Sequence, residues 1–256
     1  MKLRHFTALA LPFFTAALAG ADSFEFKDAF SRTGAFNPNG EITLENVNGS
    51  VEIRTWDKNE ILIEGEKSAK TEEELNLIDM KIDVSTSRAG IKVRLPKRSS
   101  GFFSGGGNIR AAVSFRLTVP ANAVLAKIST VNSSVSIEGA RGVVNASSVN
   151  GSVRATGLAG PVSLETVNGG INARFDAVAA QQKLSFNTVN GKIVVSLPKD
   201  AGVQLHSSVV NGKVNCEFPI ELGGKKSGKN LSGKIGDGRA SLEAETVNGS
   251  ISIEKQ

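Results

Sequence analysis

The chain lacks most of what catalytic sites are built from. Its 256 residues include no tyrosine, one tryptophan, one cysteine and two histidines. The lone Cys216 excludes an internal disulfide framework and a cysteine zinc cluster. His5 belongs to a leader segment, so His206 is the single imidazole left for chemistry. Most hydrolase and metalloenzyme sites are hard to assemble from that set, and neither a metal nor a cofactor is expected. After the leader, no apolar run approaches the ~20 residues that a membrane-spanning helix needs. At 40% hydrophobic and 21% charged, the chain is too apolar for a disordered protein.

Residues 1–19 read as a secretory signal peptide. Lys2 and Arg4 form its positive start, Phe6 to Leu18 its apolar run, and Ala17-Leu18-Ala19 its small-x-small cleavage pattern. The run is too short, and too interrupted by Pro12, to serve as an anchor. Ala21 stands where the lipid-bearing cysteine of a lipoprotein box would be, so no lipid anchor is expected. Removing the leader takes away Lys2 and Arg4 and no acid, and the net charge falls from +5 to +3. So small a charge, with no concentrated basic face, argues against nucleic acid. Residues 20–256 are expected to form a single domain without an integral membrane segment, outside the cytoplasm in the periplasm or at the cell surface.

What the chain does have is a repeat. Valine-asparagine recurs with Asn48, Asn132, Asn150, Asn168, Asn190, Asn211 and Asn248, and glycine follows in every copy except Asn132-Ser133. The spacings are 84, 18, 18, 22, 21 and 37 residues, which define a unit of about 20. Strict alternation flanks each copy. Leu164 and Thr166 precede Asn168, and Ile193 and Val195 follow Asn190, with polar residues between. This is strand patterning with one buried face, and no long stretch has helical periodicity.

Two all-β architectures fit. Asn-Gly between alternating runs signals a hairpin, but a two-residue turn would put Val47, Val131, Val149, Val167, Val189, Val210 and Val247 on a polar outer face. In a β-helix or β-solenoid of ~20-residue coils, Val-Asn-Gly is a corner. The valine then turns inward, Asn and Gly take left-handed conformations, and the asparagines form a ladder along the stack. Seven exposed valines would each forgo about 1.5–3 kcal/mol of burial, which favours the stacked coils. On that reading Val167→Asp or Val189→Asp would bury an unpaired carboxylate and cost ~3 kcal/mol or more.

Other segments interrupt the repeat. Residues 22–40, with Phe24, Phe26, Phe30 and Phe36, are expected to cap an open end. Thr71-Glu72-Glu73-Glu74 is a capping-box start for one short helix. Phe102 and Phe103, among the glycines of 96–110, form a candidate contact loop, although a pair folded back onto the protein is the simpler reading. Lys225, Lys226, Lys229 and Lys234 make a second loop cationic, which solubility alone explains. No Walker loop, dinucleotide fingerprint or calcium loop is present. Glu45, Glu165 and Glu245 share an outward repeat position, with Ser129, Ser147, Asn187 and Ser208 in the other copies. His206 falls on the outward parity beside Ser207 and Ser208, with no acid placed to orient it. Cys216 falls on the inward parity.

Three stretches carry a family resemblance: AFNPNGEITLENVNGSVEIRTWDKNEILIEGEK, VSFRLTVPANAVLAKISTVNSSVSI and SGKIGDGRASLEAETVNGSISIEK. With their Asn-Gly corners, the Trp56-Asp57 turn and the Leu117-Thr118-Val119-Pro120 strand end, they resemble the bacterial putative-adhesin domain of unknown function. The resemblance covers nearly all of 22–256. It implies an extracytoplasmic right-handed β-helix of short parallel coils, and it brings no catalytic residues with it.

The resulting expectation is a non-catalytic binding or adhesion module whose partner is an unknown surface protein or glycan. An envelope structural or stress-associated accessory protein shares every one of these features. A polysaccharide-acting β-helix enzyme would need a charged cluster in a groove. The exported protein should begin at Gly20 or Asp22. Mass spectrometry of the intact protein from an envelope fraction checks this, and retention of Met1 would defeat it.

Overall fold

A computed structural model describes residues 24–95, 110–222 and 228–256, with the backbone alone at Leu222. The expected leader, Phe102 and Phe103, and Lys225 and Lys226 lie outside the described residues.

The fold is all-β. Strands β1 (Phe26–Ala35), β2 (Glu41–Glu45), β3 (Val51–Trp56) and β4 (Glu60–Ala69) precede helix α1 (Glu72–Asn76). Then come β5 (Asp79–Val84), β6 (Arg88–Arg94), β7 (Ala111–Pro120), β8 (Val124–Thr130) and β9 (Val135–Glu138). The repeat proper supplies β10 (Val144–Ser148), β11 (Val153–Leu158), β12 (Val162–Asn168), β13 (Ile171–Phe175), β14 (Lys183–Asn190) and β15 (Ile193–Leu197). The chain ends with β16 (Val203–Cys216), β17 (Glu221–Leu222), β18 (Asn230–Ile235) and β19 (Ala240–Lys255). The helix starts where the capping box places it, with the Thr71 side chain accepting from the Glu74 N–H.

Two stacks of parallel strands run side by side. One is ordered β6, β2, β8, β10, β12, β14, then the first halves of β19 and β16. The other is ordered β7, β3, β9, β11, β13, β15, then the second halves of β19 and β16. One strand from each stack makes a tier, and the corner asparagine lies between them. The hairpin alternative is thereby set aside, because the strands on either side of each corner pair with other tiers.

Chain order and spatial order part company twice. Asn48 and Asn132 are in adjacent tiers although 84 positions apart in the chain. The residues between them hold β4, α1, β5 and the tier below, β6 with β7. At the other end β19 inserts between the β14/β15 tier and β16, so Asn248 stacks on Asn190, ahead of Asn211. Antiparallel strands close both ends. β5 covers β6, while β4 and then β1 cover β7. β18 and then β17 cover the first half of β16, residues 203–208. The outer strands β1 and β5 carry Lys27, Asp28, Arg32, Asp79, Lys81 and Asp83, charges that discourage a further strand from pairing.

The inward side chains of both stacks form one apolar cluster. Sizes change from tier to tier, rising to Phe186 and falling again: Ala146, Leu164, Phe186, Ala244 and Ser207 follow one another in register. Phe186 meets Phe175 edge to face at 6.3 Å. Buried Ser207 donates to the Leu231 carbonyl at 2.9 Å, so the one polar member of this row is satisfied. Phe36 is buried under the first tiers, as a cap requires, while Phe24 and Phe26 remain exposed.

The corners correct two expectations. The valines do not turn inward. Val131, Val149, Val167, Val189 and Val247 are 37–40% exposed and Val210 is 55% exposed. The inward residue is the one before, namely Thr130, Ser148, Thr166, Thr188 or Thr246, and the apolar Val209 before Val210. Asparagine and glycine are not generally left-handed either. Gln181 is the one non-glycine residue with positive φ among the described residues, and of the corner glycines only Gly49 (φ +109) and Gly212 (φ +157) have positive φ. Glycine is needed for closeness. A β-carbon on Gly151, Gly169, Gly191 or Gly249 would collide with the carbonyl oxygen of Ser133, Gly151, Gly169 or Gly191 in the neighbouring tier. Ser133 is tolerated over Gly49, whose carbonyl accepts from Asn46 Nδ2 at 2.9 Å.

Urea unfolding separates these roles. Gly191→Ala should lose about 1–3 kcal/mol by overpacking. Gly90→Ala, where the nearest atom to a new β-carbon is Thr43 Oγ1 at 3.7 Å, should change stability by less than ~1 kcal/mol. Val167→Asp, now on the surface, should also stay within ~1 kcal/mol. A large loss in Val167→Asp, or none in Gly191→Ala, would contradict this account of the corner.

Candidate functional site

The corner is built from four consecutive positions, each with its own role. The residue two before asparagine points in and its hydroxyl donates to a carbonyl of the neighbouring tier. Ser148 reaches Ser133 O at 2.7 Å, Thr166 reaches Gly151 O at 2.8 Å, Thr188 reaches Gly169 O at 3.0 Å and Thr246 reaches Gly191 O at 3.2 Å. Those carbonyls would otherwise lack a donor at a buried bend. Thr130 breaks the series because Asn46 already occupies the Gly49 carbonyl, and its Oγ1 has no partner among the described residues.

The asparagines come next. All seven lie in one line. Asn48 Nδ2 donates to Ala111 O, and each of the others donates to the Oδ1 of the one below it. Asn132 bonds Asn48, Asn150 bonds Asn132, Asn168 bonds Asn150 and Asn190 bonds Asn168, all at 2.9 Å. Asn248 then bonds Asn190, and Asn211 bonds Asn248, at 2.8 Å. Each internal amide therefore donates once and accepts once along the stack.

Between the asparagine line and the outer face of the first stack runs a groove of about 640 Å3. One wall is the valine row, Val131, Val149, Val167, Val189, Val247 and Val210. The opposite wall holds Ser129, Ser147, Glu165, Asn187, Glu245 and Ser208, with the buried hydroxyls as floor. Six tiers at ~4.8 Å spacing make it roughly 24 Å long. Among the described residues no Lys or Arg lines it. Sequence reasoning missed this site. The signal was the invariant valine itself, placed outward by the same alternation that places its neighbours.

The other expected residues are scattered. Glu45 lies beyond the groove in the same row, between Lys92 and Lys127, with each ammonium 2.8 Å from its carboxylate. Hydrogen bonds from Lys127 and then Lys92 hold its pKa down to about 2. Glu165 and Glu245 have Asn187 between them and no ion-pair partner among the described residues. His206 is exposed, with Nδ1 2.9 Å from Ser232 Oγ. Register places Glu243 on its other side. No hydrogen bond joins that pair among the described residues, and the three lie on open sheet outside the groove. Cys216 is half-buried against the core, where burial raises its thiol pKa. Among the described residues there is no group of three or more His, Cys, Asp or Glu able to hold a metal. No helix there is long and apolar enough to cross a membrane.

The family model described as Toastrack DUF4097 matches residues 125–254. No curated protein matches the chain. Among solved structures, a putative cell adhesion protein from Clostridium sporogenes is 16% identical, over 90% of this chain and 100% of that one, with a TM-score of 0.47. A putative adhesin from Bacteroides fragilis is 9% identical, over 88% and 97% of the two chains, with a TM-score of 0.37. A putative lipid binding protein from Parabacteroides distasonis is 11% identical, over 90% and 97%, with a TM-score of 0.22.

The lysine-clamped Glu45 gives a pH dependence. Its folded pKa of about 2 lies below the ordinary 4.5, so its contribution is complete above pH 4.5 and is lost as pH falls toward 2. The urea midpoint of the parent should fall more steeply across that window than that of Glu45→Gln. Because the side chain is 36% exposed, the difference should shrink at ~1 M salt. Parallel curves for parent and variant would remove the clamp from the stability account.

Proposed function

The chain belongs to the Toastrack DUF4097 family, and from that premise we propose that it is a non-catalytic binding and adhesion module acting outside the cytoplasm. Its frame is a right-handed β-solenoid, the hand that parallel crossovers favour. Its contact face is the valine-walled groove. One observation carries the reading: six tiers in succession present valine at a surface position that the fold does not bury. Stacking is already secured by the asparagine, glycine and threonine positions. A continuous apolar row rimmed by polar residues is the signature of a binding surface. The signal-peptide pattern of residues 1–19 supports export.

The energetics fit a weak, repetitive contact. Covering the exposed part of six valines would recover roughly 4–7 kcal/mol. Association itself costs about 4–15 kcal/mol. A single groove therefore binds loosely, and many copies on one surface gain by avidity.

The test is retention of fluorescently labelled protein on immobilised cell-envelope material. Val149→Asp with Val189→Asp should abolish retention at an unchanged melting temperature, while His206→Ala should leave it intact. Retention indifferent to charges in the groove would overturn the reading. So would hydrolysis of the envelope material that His206→Ala removes.

A further inference from the structure

We propose that the groove takes a linear glycan of uncharged or amine-bearing sugars, laid along the stack across successive tiers. This rests on the groove being the contact face.

The shape selects a thin, extended occupant. The groove runs perpendicular to the strands, and the backbone groups along it already pair from tier to tier. A peptide therefore finds no free sheet edge there to extend. The edges lie at the two ends of the stack. A second copy is equally unsuited, because a stable interface needs ~800 Å2 from each partner and this apolar feature is a single row of half-covered valines.

The two walls select the chemistry. Valine methyl groups face hydroxyl, carboxamide and carboxylate groups along the whole length. An acyl chain would satisfy the first wall and strip water from the second with no hydrogen bond in return. A chain of sugar rings presents C–H surface on its faces and hydroxyls at its edges. It can cover Val149, Val167 and Val189 while bonding Ser147, Glu165 and Asn187 opposite.

Charge narrows the class further. Among the described residues, Glu165 and Glu245 project from the groove wall with no ion-pair partner, and no cation lines the groove. Glu45, the acid of the same row outside the groove, is neutralised by two lysines. A uronate, sulfate or phosphate chain would meet this wall as like charge. An amine-bearing chain would meet it as a counter-ion.

Calorimetric titration of the protein with three hexasaccharides tests the proposal: chitohexaose, its deacetylated amine form and hexagalacturonate. The first two should bind, the amine form more tightly at low salt, and hexagalacturonate at least about tenfold more weakly. Glu165→Gln with Glu245→Gln should erase the preference for the amine form and leave chitohexaose binding unchanged. Val149→Ser with Val189→Ser should weaken every sugar. If that variant does not fold, methyl chemical-shift changes at Val149, Val167 and Val189 in the parent report occupancy directly. Equal binding of hexagalacturonate, binding of none of the three, or occupancy of the valine row by palmitate in place of the sugars would overturn the proposal. If groove charges abolish envelope retention but no hexasaccharide competes for it, the glycan is wrong and the contact face stands.

Discussion

Everything in this molecule depends on how closely one corner can sit on the next. Parallel tiers must approach to the strand spacing of ~4.8 Å at a bend, where the backbone turns its carbonyls toward the layer beside it. Glycine clears the space, because a β-carbon at Gly169 or Gly191 would strike the carbonyl one tier away. A buried hydroxyl from Thr166 or Thr188 then donates to that carbonyl. The asparagine amide locks the register by bonding its own equivalent above and below. Each bond contributes only about 1 kcal/mol net. Their effect is to fix one alignment among several that the apolar alternation alone would allow.

That constraint explains where the valines are. With a hydroxyl required inside to serve the carbonyl, the next residue along an extended chain must point out. The apolar side chain is exposed because the polar one is needed within. Val149, Val167, Val189 and Val247 are placed outward in this way. The same alternation continues the row at Val131, where Thr130 bonds no carbonyl among the described residues, and at Val210, where the inward residue is Val209. The concave bend between the row and the outer strand face makes the groove. The same geometry makes the site long and shallow, suited to many weak contacts in series.

Ends matter as much as the repeat. A parallel stack leaves open edges, and here antiparallel strands cover the β6/β7 end and the first half of β16. The insertion of β19 between β14/β15 and β16 ties the end of the chain into the stack interior, where it pairs on both sides. The terminal strand is thus held as firmly as the central ones, and the asparagine line runs unbroken through it.

The sequence by itself determined the all-β class, the ~20-residue period, the seven asparagines and the inward faces of the strands, as at Leu164, Thr166, Ile193 and Val195. These follow from alternation and spacing, which are local and survive in a linear reading. Tertiary structure alone decided three things. It decided the order of the last tiers, because a 37-residue gap between Asn211 and Asn248 fits insertion as well as simple succession. It decided that the 84 residues before Asn132 hold an excursion and a capping tier, since loop length does not specify where a strand pairs. It decided that valine faces out, against its hydrophobicity, because the competing demand came from a carbonyl in another tier. Burial of an apolar side chain is a preference that any sequence displays. Satisfaction of a particular buried carbonyl exists only once two tiers have met.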